Sequence, residues 1–202
     1  VTAPETRPLR ADARLNHDRL LEAAACVFLR DGAQASLKTI AKEAGVGIGT
    51  LYRRFPSRER LVEAMYRHEV ARMCATAEVL LAAEPPARAL RSWMTAFVAF
   101  FATKQGMVAV LRVVLGEVDD MKTETHRLLV DALTTLLDAA AREGSVRTDV
   151  TAEDLFLSLS GIGMVTAQVG PGSRSERLLD LQMDALRVIE PRTTSTRRPP
   201  AD

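Results

Sequence analysis

The stretch from Ser36 to Arg60, SLKTIAKEAGVGIGTLYRRFPSRER, constrains this chain more than any other. It reads as two short helices joined by a tight turn, with a third helix starting at once. The first runs from about Leu37 to Ala44, and Ser36 is placed to cap it with its hydroxyl. Ala41 is small where a second helix must cross closely. Gly45 follows the last helical residue, where a left-handed backbone is easiest for glycine. Ile40, Ala44, Val46 and Leu51 are apolar at spacings that close a small shared core. The second helix, about Ile48 to Phe55, leaves one face free, bearing Thr50, Arg53 and Arg54 with Tyr52 close by. Pro56 ends it, because the residue before proline is pushed out of helical geometry, and Ser57 can cap the next helix. This is the pattern of a helix-turn-helix whose second helix enters a DNA major groove. A plain helical hairpin with a solvated basic face is the competing reading. It does not account for small residue, glycine and apolar spacing together. Gly45, Gly47 and Gly49 hint at a phosphate-cradling loop, but such a loop follows a strand and has longer glycine spacing.

The segment AKEAGVGIGTLYRRFPSRERL resembles the signature of the TetR family of transcriptional regulators. The motif covers about the first third of the chain; the rest is similar to the family in layout alone. The resemblance implies an all-α fold of about nine helices. An N-terminal three-helix helix-turn-helix domain would be joined to a C-terminal helical ligand-binding and dimerisation domain. It also implies residue roles. Ser36 would contact phosphate as well as cap, and Lys38 would reach a phosphate or a guanine edge. Gly47, Ile48, Gly49, Thr50 and Arg53 sit where relatives approach bases. Arg53 is the expected bidentate guanine contact, worth about 1–3 kcal/mol of discrimination. Tyr52, Arg54 and Arg58 match positions that grip phosphate. Three positions depart from the family: Gly47 stands where serine is common, Arg54 where histidine is common, and Ile48 can only pack on a thymine methyl.

Composition bounds the rest. The 202 residues are 47% apolar and 26% charged, a globular balance. The net charge of +1 hides an asymmetry: residues 1–60 hold eleven Lys+Arg against seven Asp+Glu, and the remainder sixteen against nineteen. A basic end suits a polyanion partner there. Cys26 and Cys74 lie in separate helical patterns, which argues against a disulfide scaffold or a metal site, and no cofactor is expected. His17, His68 and His126 are scattered and read as surface or core histidines. No signal peptide opens the sequence, and the longest apolar run, around Trp93 to Ala102, is too short to span a bilayer. The expectation is a soluble, cytoplasmic protein with no membrane partner.

Along the chain, residues 1–12 show no periodicity and read as a disordered arm. A helix from about Ala13 to Arg30 carries Leu20, Leu21, Ala24, Ala25 and Phe28 on one stripe. This makes 13–56 the DNA-binding domain, with the motif at 36–55. From Ser57 a long helix runs to about Ala82, with Leu61, Met65 and Val70 on its apolar side; it reads as the one continuous rod between head and body. Helices follow over about 86–104, 107–115 and 119–143, the last with Leu128, Leu129, Ala132, Leu136 and Leu137 inward. Thr151 and Asp154 have capping-box spacing and open a helix to about Val169. Ser173 and Glu176 form a second such box and open the last helix, to about Ile189. Residues 57–190 form the regulatory and dimerisation domain, and 191–202 a disordered tail.

The last two long helices should lie antiparallel. Ser158, Ser160, Gly161 and Gly163 give one a small-residue face, and Leu178, Leu181, Leu186 and Ile189 give the other an apolar one. Paired across a twofold axis they would make a homodimer, as the resemblance implies, that reads two half-sites of a double-stranded operator; the alternative is that the hairpin only covers its own domain. Trp93, Phe97, Phe101, Met107, Leu111, Met121 and Met164, with Thr125 and Gln168 as polar groups, could line a pocket for a small apolar effector; the resemblance implies such a pocket, whereas the pattern alone equally suits a packed core. No nucleophile–base pair, metal spacing or cofactor loop suggests an enzyme. The sequence therefore reads as a DNA-binding transcriptional repressor released from a near-palindromic operator by a small apolar ligand. The alternatives are a DNA-binding regulator controlled without such a ligand, and a helical enzyme.

Overall fold

The first helix starts earlier than its periodicity indicates. In the computed structural model, which describes residues 6–116, 119–169 and 173–188, helix α1 spans Thr6–Asp31. Residues 6–12 of the expected disordered arm are therefore helical. Pro8 falls in the first turn, where the missing N–H has no intrahelical partner to lose. Residues 1–5 and the tail 191–202 lie outside the described residues. On α1, Leu20, Leu21, Ala24, Ala25 and Phe28 are all buried.

This stripe packs over two short helices, α2 (Leu37–Glu43) and α3 (Ile48–Arg54), after a 3-10 turn at Gly32–Gln34. Between α2 and α3 the chain closes in a Schellman motif. Gly45 N–H donates to the Lys42 carbonyl at 3.1 Å and Val46 N–H to the Ala41 carbonyl at 2.9 Å. Gly45 takes φ +70°, the left-handed value that glycine adopts without a Cβ penalty. Ile40, Ala41, Ala44 and Leu51 are buried, with Val46 packed against them. Ser36 stands at the N-cap of α2 with extended backbone, but its hydroxyl makes no capping bond. Its carbonyl accepts the Ile40 N–H at 3.0 Å, and its exposed hydroxyl makes no bond among the described residues.

Helix α4 (Arg58–Ala83) is capped by Ser57, whose hydroxyl accepts the Arg60 N–H at 3.3 Å. Leu61, Met65 and Val70 are buried on its inner side. Helix α5 then runs unbroken from Pro86 to Leu115, although the sequence suggests a break near Gly106. A glycine inside a helix costs about 1 kcal/mol. Carrying the helix through buries Met107, Val110 and Leu111, each worth about 1.5–3 kcal/mol. Packing therefore outweighs the glycine. Helices α6 (Asp119–Glu143), α7 (Ala152–Val169) and α8 (Ser173–Leu186) complete the body. On α6, Leu129, Ala132, Leu136 and Leu137 are buried, and Leu128 is half-buried. The capping box opening α7 is present: Asp154 N–H donates to Thr151 Oγ1 at 3.1 Å, and Thr151 N–H to Asp154 Oδ2 at 3.2 Å. The second expected box pairs Ser173 with Glu176. Ser173 is the first residue of α8, its side chain lies outside the described ones, and Glu176 accepts from Arg91 at 2.6 Å.

The chain is all-helical, with eight α-helices and one 3-10 turn among the described residues. Two cores run through it. One joins α1, α2 and α3 to the start of α4 and, unexpectedly, to Met107, Val110 and Leu111 of α5. The other fills the body around Leu90, Trp93, Met94 and Phe97. Helix α4 is therefore not the lone rod between head and body; α5 also reaches the head, packing on α1 and the 3-10 turn. No helix among the described residues is long and apolar enough to cross a membrane.

Candidate nucleic-acid interface

Helix α3 is held by little and exposes much. Leu51 is its one buried side chain, and Phe55 closes its C-terminal end. Gly47, Ile48, Gly49, Tyr52, Arg53 and Arg54 are exposed, and Thr50 is half-buried. Tyr52 is 50% exposed and Ile48 39%, so two large apolar surfaces face outward where a folded core would hide them. Beyond the adjoining residues and the helix's own backbone, no atom of the described residues lies within 4 Å of where a Cβ on Gly47 or Gly49 would stand. These glycines therefore answer no packing need inside the subunit. They leave the start of α3 without side-chain bulk, where a partner's surface can approach closely.

The cations divide into two kinds. Lys38 and Arg53 are exposed, and neither makes an ion pair or side-chain hydrogen bond among the described residues. Ser36, Lys38 and Ile48 line one surface recess of about 510 Å³ together with Lys42. Lys42 lies one helical turn beyond Lys38 on the same face of α2; that i,i+4 pair of lysines was a signal available in the sequence but not used. Arg58 is different. Its guanidinium is half-buried, donates to the carbonyls of Ala33 at 2.8 Å and Ala35 at 2.5 Å, and stands 5.5 Å over the Phe28 ring. It ties the start of α4 to the 3-10 turn, with one N–H of each terminal nitrogen engaged inside the head. Arg54, exposed, donates through Nε to His17 Nδ1 at 3.1 Å.

Comparison with known proteins agrees with this geometry. Residues 20–65 match the family model described as bacterial regulatory proteins, tetR family. Residues 85–188 match the C-terminal domain described as transcriptional regulator SbtR-like. Among solved structures, a TetR transcriptional regulator from Streptomyces coelicolor is 46% identical, at TM-score 0.77 over 84% of this chain and 97% of that one. The chain belongs to the TetR family. A TetR transcription regulatory protein from Mycobacterium vanbaalenii is 36% identical, at TM-score 0.76 over 90% of this chain and all of that one. The fatty acid degradation regulator FadR from Bacillus halodurans, 19% identical at TM-score 0.61 over 85% of this chain and all of that one, shares the fold. The protein is thus a DNA-binding transcriptional regulator, from a family of regulators and not of enzymes.

In this TetR regulator the expected pocket residues do not gather in one place. Trp93, Phe97 and Phe101 are buried on α5, with Trp93 stacked on Phe97 at 5.3 Å. Met107 and Leu111 belong to the head's core instead. Met121 is half-buried and its carbonyl accepts from the buried Thr125 hydroxyl at 2.8 Å. Met164 is 55% exposed on the outer side of α7, which removes it from any internal wall. The side chain of Gln168 lies outside the described ones. Sequence reasoning missed two buried polar groups near these residues. Tyr66 Oη and Trp93 Nε1 are both buried with no hydrogen-bond partner among the described residues. Burial pushes the Tyr66 phenol pKa up, and the nearby Thr125 hydroxyl pulls it the other way, but that hydroxyl is already given to Met121.

The α7–α8 hairpin presents a different surface from the one expected. Gly163 faces inward, where a Cβ would meet Phe101 Cδ1 at 2.8 Å. Ser158 donates to Gln182 Oε1 at 2.6 Å, joining α7 to α8. Ser160 Oγ and Leu186 are buried, Leu178 is half-buried, and Ile189 lies outside the described residues. Of the expected small face only Gly161 is open. The large apolar residues that α7 exposes among the described ones are Leu157, Met164 and Val165, with Gly161 open between them, and α8 adds Leu181.

Proposed function

We propose that this TetR regulator is a homodimeric repressor that leaves a near-palindromic operator when a small, largely apolar molecule binds its body. The observation that carries the DNA part is α3 itself. One buried residue anchors it, while Arg53, with no partner among the described residues, stands beside Tyr52 and Arg54. Gly47, Ile48, Gly49, Thr50 and Arg53 approach bases, with Arg53 on a guanine edge. Ser36, Lys38, Lys42, Tyr52 and Arg54 hold phosphates. Arg58 leaves the phosphate set and becomes a brace for the head. Arg53→Ala should relax base preference, while Lys42→Ala should weaken all duplexes alike and flatten the salt dependence by about one unit of slope. Titration of both variants against operator base changes and salt tests this; equal losses across all sequences from both would refute it.

Leu157, Gly161, Met164 and Val165 recur at i, i+4, i+7 and i+8, a single helical stripe. Leu181 of α8 is also exposed, at 64%. An apolar stripe open to water on two adjacent helices supports a twofold four-helix contact with a second copy. One two-turn reading helix buries too little for tight specific binding, and a pair set roughly 34–36 Å apart meets successive major-groove faces.

The effector reading rests on the body core. Trp93 Nε1 and Tyr66 Oη are buried donors with no hydrogen-bond partner among the described residues, a state that costs about 1–3 kcal/mol each. A molecule with apolar bulk and an acceptor would relieve either. Hundredfold release requires it to prefer the non-binding state by roughly 2.7 kcal/mol. Both α4 and α5 can carry that preference to the head. Trp93 is the single tryptophan, so a ligand entering beside it shifts its emission; a ligand that abolishes operator binding and leaves that emission unchanged would place the effector elsewhere.

A further inference from the structure

Arg54 is exposed at the end of the reading helix, yet it is not free. Its Nε donates to Nδ1 of His17, which lies on α1. The His17 ring stacks on Phe55, centroids 5.4 Å apart at 24°. Phe55 is buried, so the imidazole is fixed on one face by the head's own core. A bond accepted at Nδ1 needs that nitrogen's lone pair, which makes the ring neutral with its proton on Nε2. The bond engages Nε alone. Arg54 Nη1 and Nη2 make no bond among the described residues, and that paired edge can take two oxygens of one phosphate.

We propose that His17 is a positioning residue for DNA binding: it anchors Arg54 through Nε so that the paired Nη edge is already aimed at a backbone phosphate. This rests on the reading of Arg54 as a phosphate contact. A free arginine surrenders its rotamer freedom when it binds, whereas an anchored one has surrendered it on folding.

The anchor is sensitive to acid. A proton on Nδ1 removes the acceptor and sets a second positive charge against the guanidinium. Burial first, then Arg54, holds the His17 pKa below its usual value; Asp18 pulls it up and His68 adds to the lowering. These groups face the ring from α1, α3 and α4, and Phe55 adds no charge. The anchor is therefore intact at neutral pH and opens on the acid side of the ordinary histidine range.

The test uses the full chain and a fluorescent duplex carrying the site that the wild type selects. His17→Phe keeps the stacking ring and removes the acceptor. His17→Asn keeps an acceptor near the Nδ1 position and cannot titrate. At about pH 8, His17→Phe should bind about fivefold more weakly and His17→Asn within about twofold of wild type. On an Arg54→Ala background, His17→Phe should cost nothing more. As pH falls to about 5, the wild type should lose affinity that His17→Asn retains. Additive losses from His17→Phe and Arg54→Ala, or parallel pH curves for wild type and His17→Asn, overturn the anchor. If Arg54→Ala alone binds like wild type, the reading of Arg54 fails instead. Should His17→Phe melt below the assay temperature, the pH comparison of wild type with His17→Asn decides alone.

Discussion

Helices α3 and α5 put their chemistry on opposite sides of their backbones. Helix α3 buries Leu51 and offers nearly everything else to the surroundings. Helix α5 buries Leu90, Trp93, Met94 and Phe97 completely and packs on α4, α6 and α7 at once. In α3 a side chain can change what the protein reads without changing whether it folds. In α5 a side chain sets stability first and reaches function only through the shape of the core. The contrast explains why a helix of two turns can carry specificity while one of thirty residues holds the core together.

The sharpest way to break this contrast is to truncate one residue in each helix. Trp93→Ala should cost about 3–5 kcal/mol of stability, through lost burial and a cavity. Arg53→Ala should change stability by less than about 0.5 kcal/mol and still lose about 1–3 kcal/mol of base discrimination. Denaturant melts set beside operator-variant titrations read both; similar melting losses for the two would erase the distinction.

The next largest effect concerns the outer face of α7 and α8. Replacing Val165 and Leu181 together by glutamate should leave the melting curve of the isolated subunit nearly unchanged and produce a monomer in sedimentation. Operator affinity should then fall at least about a hundredfold, because one reading helix is left to do the work of two. Full affinity from a monomer would show that α3 suffices alone.

Arg58→Met separates a brace from a phosphate contact. Loss of its charged hydrogen bonds to Ala33 and Ala35 should cost about 1.5–3 kcal/mol of stability, with the salt dependence of operator binding unchanged. A flatter salt dependence with an unchanged melt would return Arg58 to the DNA. The smallest effect is expected at Gly163→Ala. The new methyl would press on Phe101, and overpacking of this kind costs about 1–3 kcal/mol. Relief by Phe101→Leu in the double variant would show that the cost comes from that contact.

The same contrast decides what was legible beforehand. Gly45 had to turn left-handed after Ala44, and the Lys42 and Ala41 carbonyls receive the bonds that this turn provides. Local chemistry of that kind is written in neighbouring residues, so the head could be read closely. Ser36 still surprised: its position was legible, but its hydroxyl does not cap. The body depends on partners distant in sequence. Met107 packs into the head because α5 continues through Gly106, and no local signal announces that. Met164 and Gly163 are adjacent in sequence yet face opposite ways, one outward and one onto Phe101. Helical spacing shows that such residues differ in direction, but not which direction is the outside. Arg58 carried a family expectation of phosphate contact, and only the placement of the Ala33 and Ala35 carbonyls reveals where its donors go.

The central claim is that α3 reads base pairs as one of a symmetric pair. Selection of bound sites from random duplexes, followed by sequencing, addresses it most directly. The account predicts two inverted half-sites with centres about 10–10.5 base pairs apart or a multiple of that, lost when Arg53 and Lys38 are both replaced by alanine. Recovery of a single, unrepeated site, or of no common sequence at all, would contradict it.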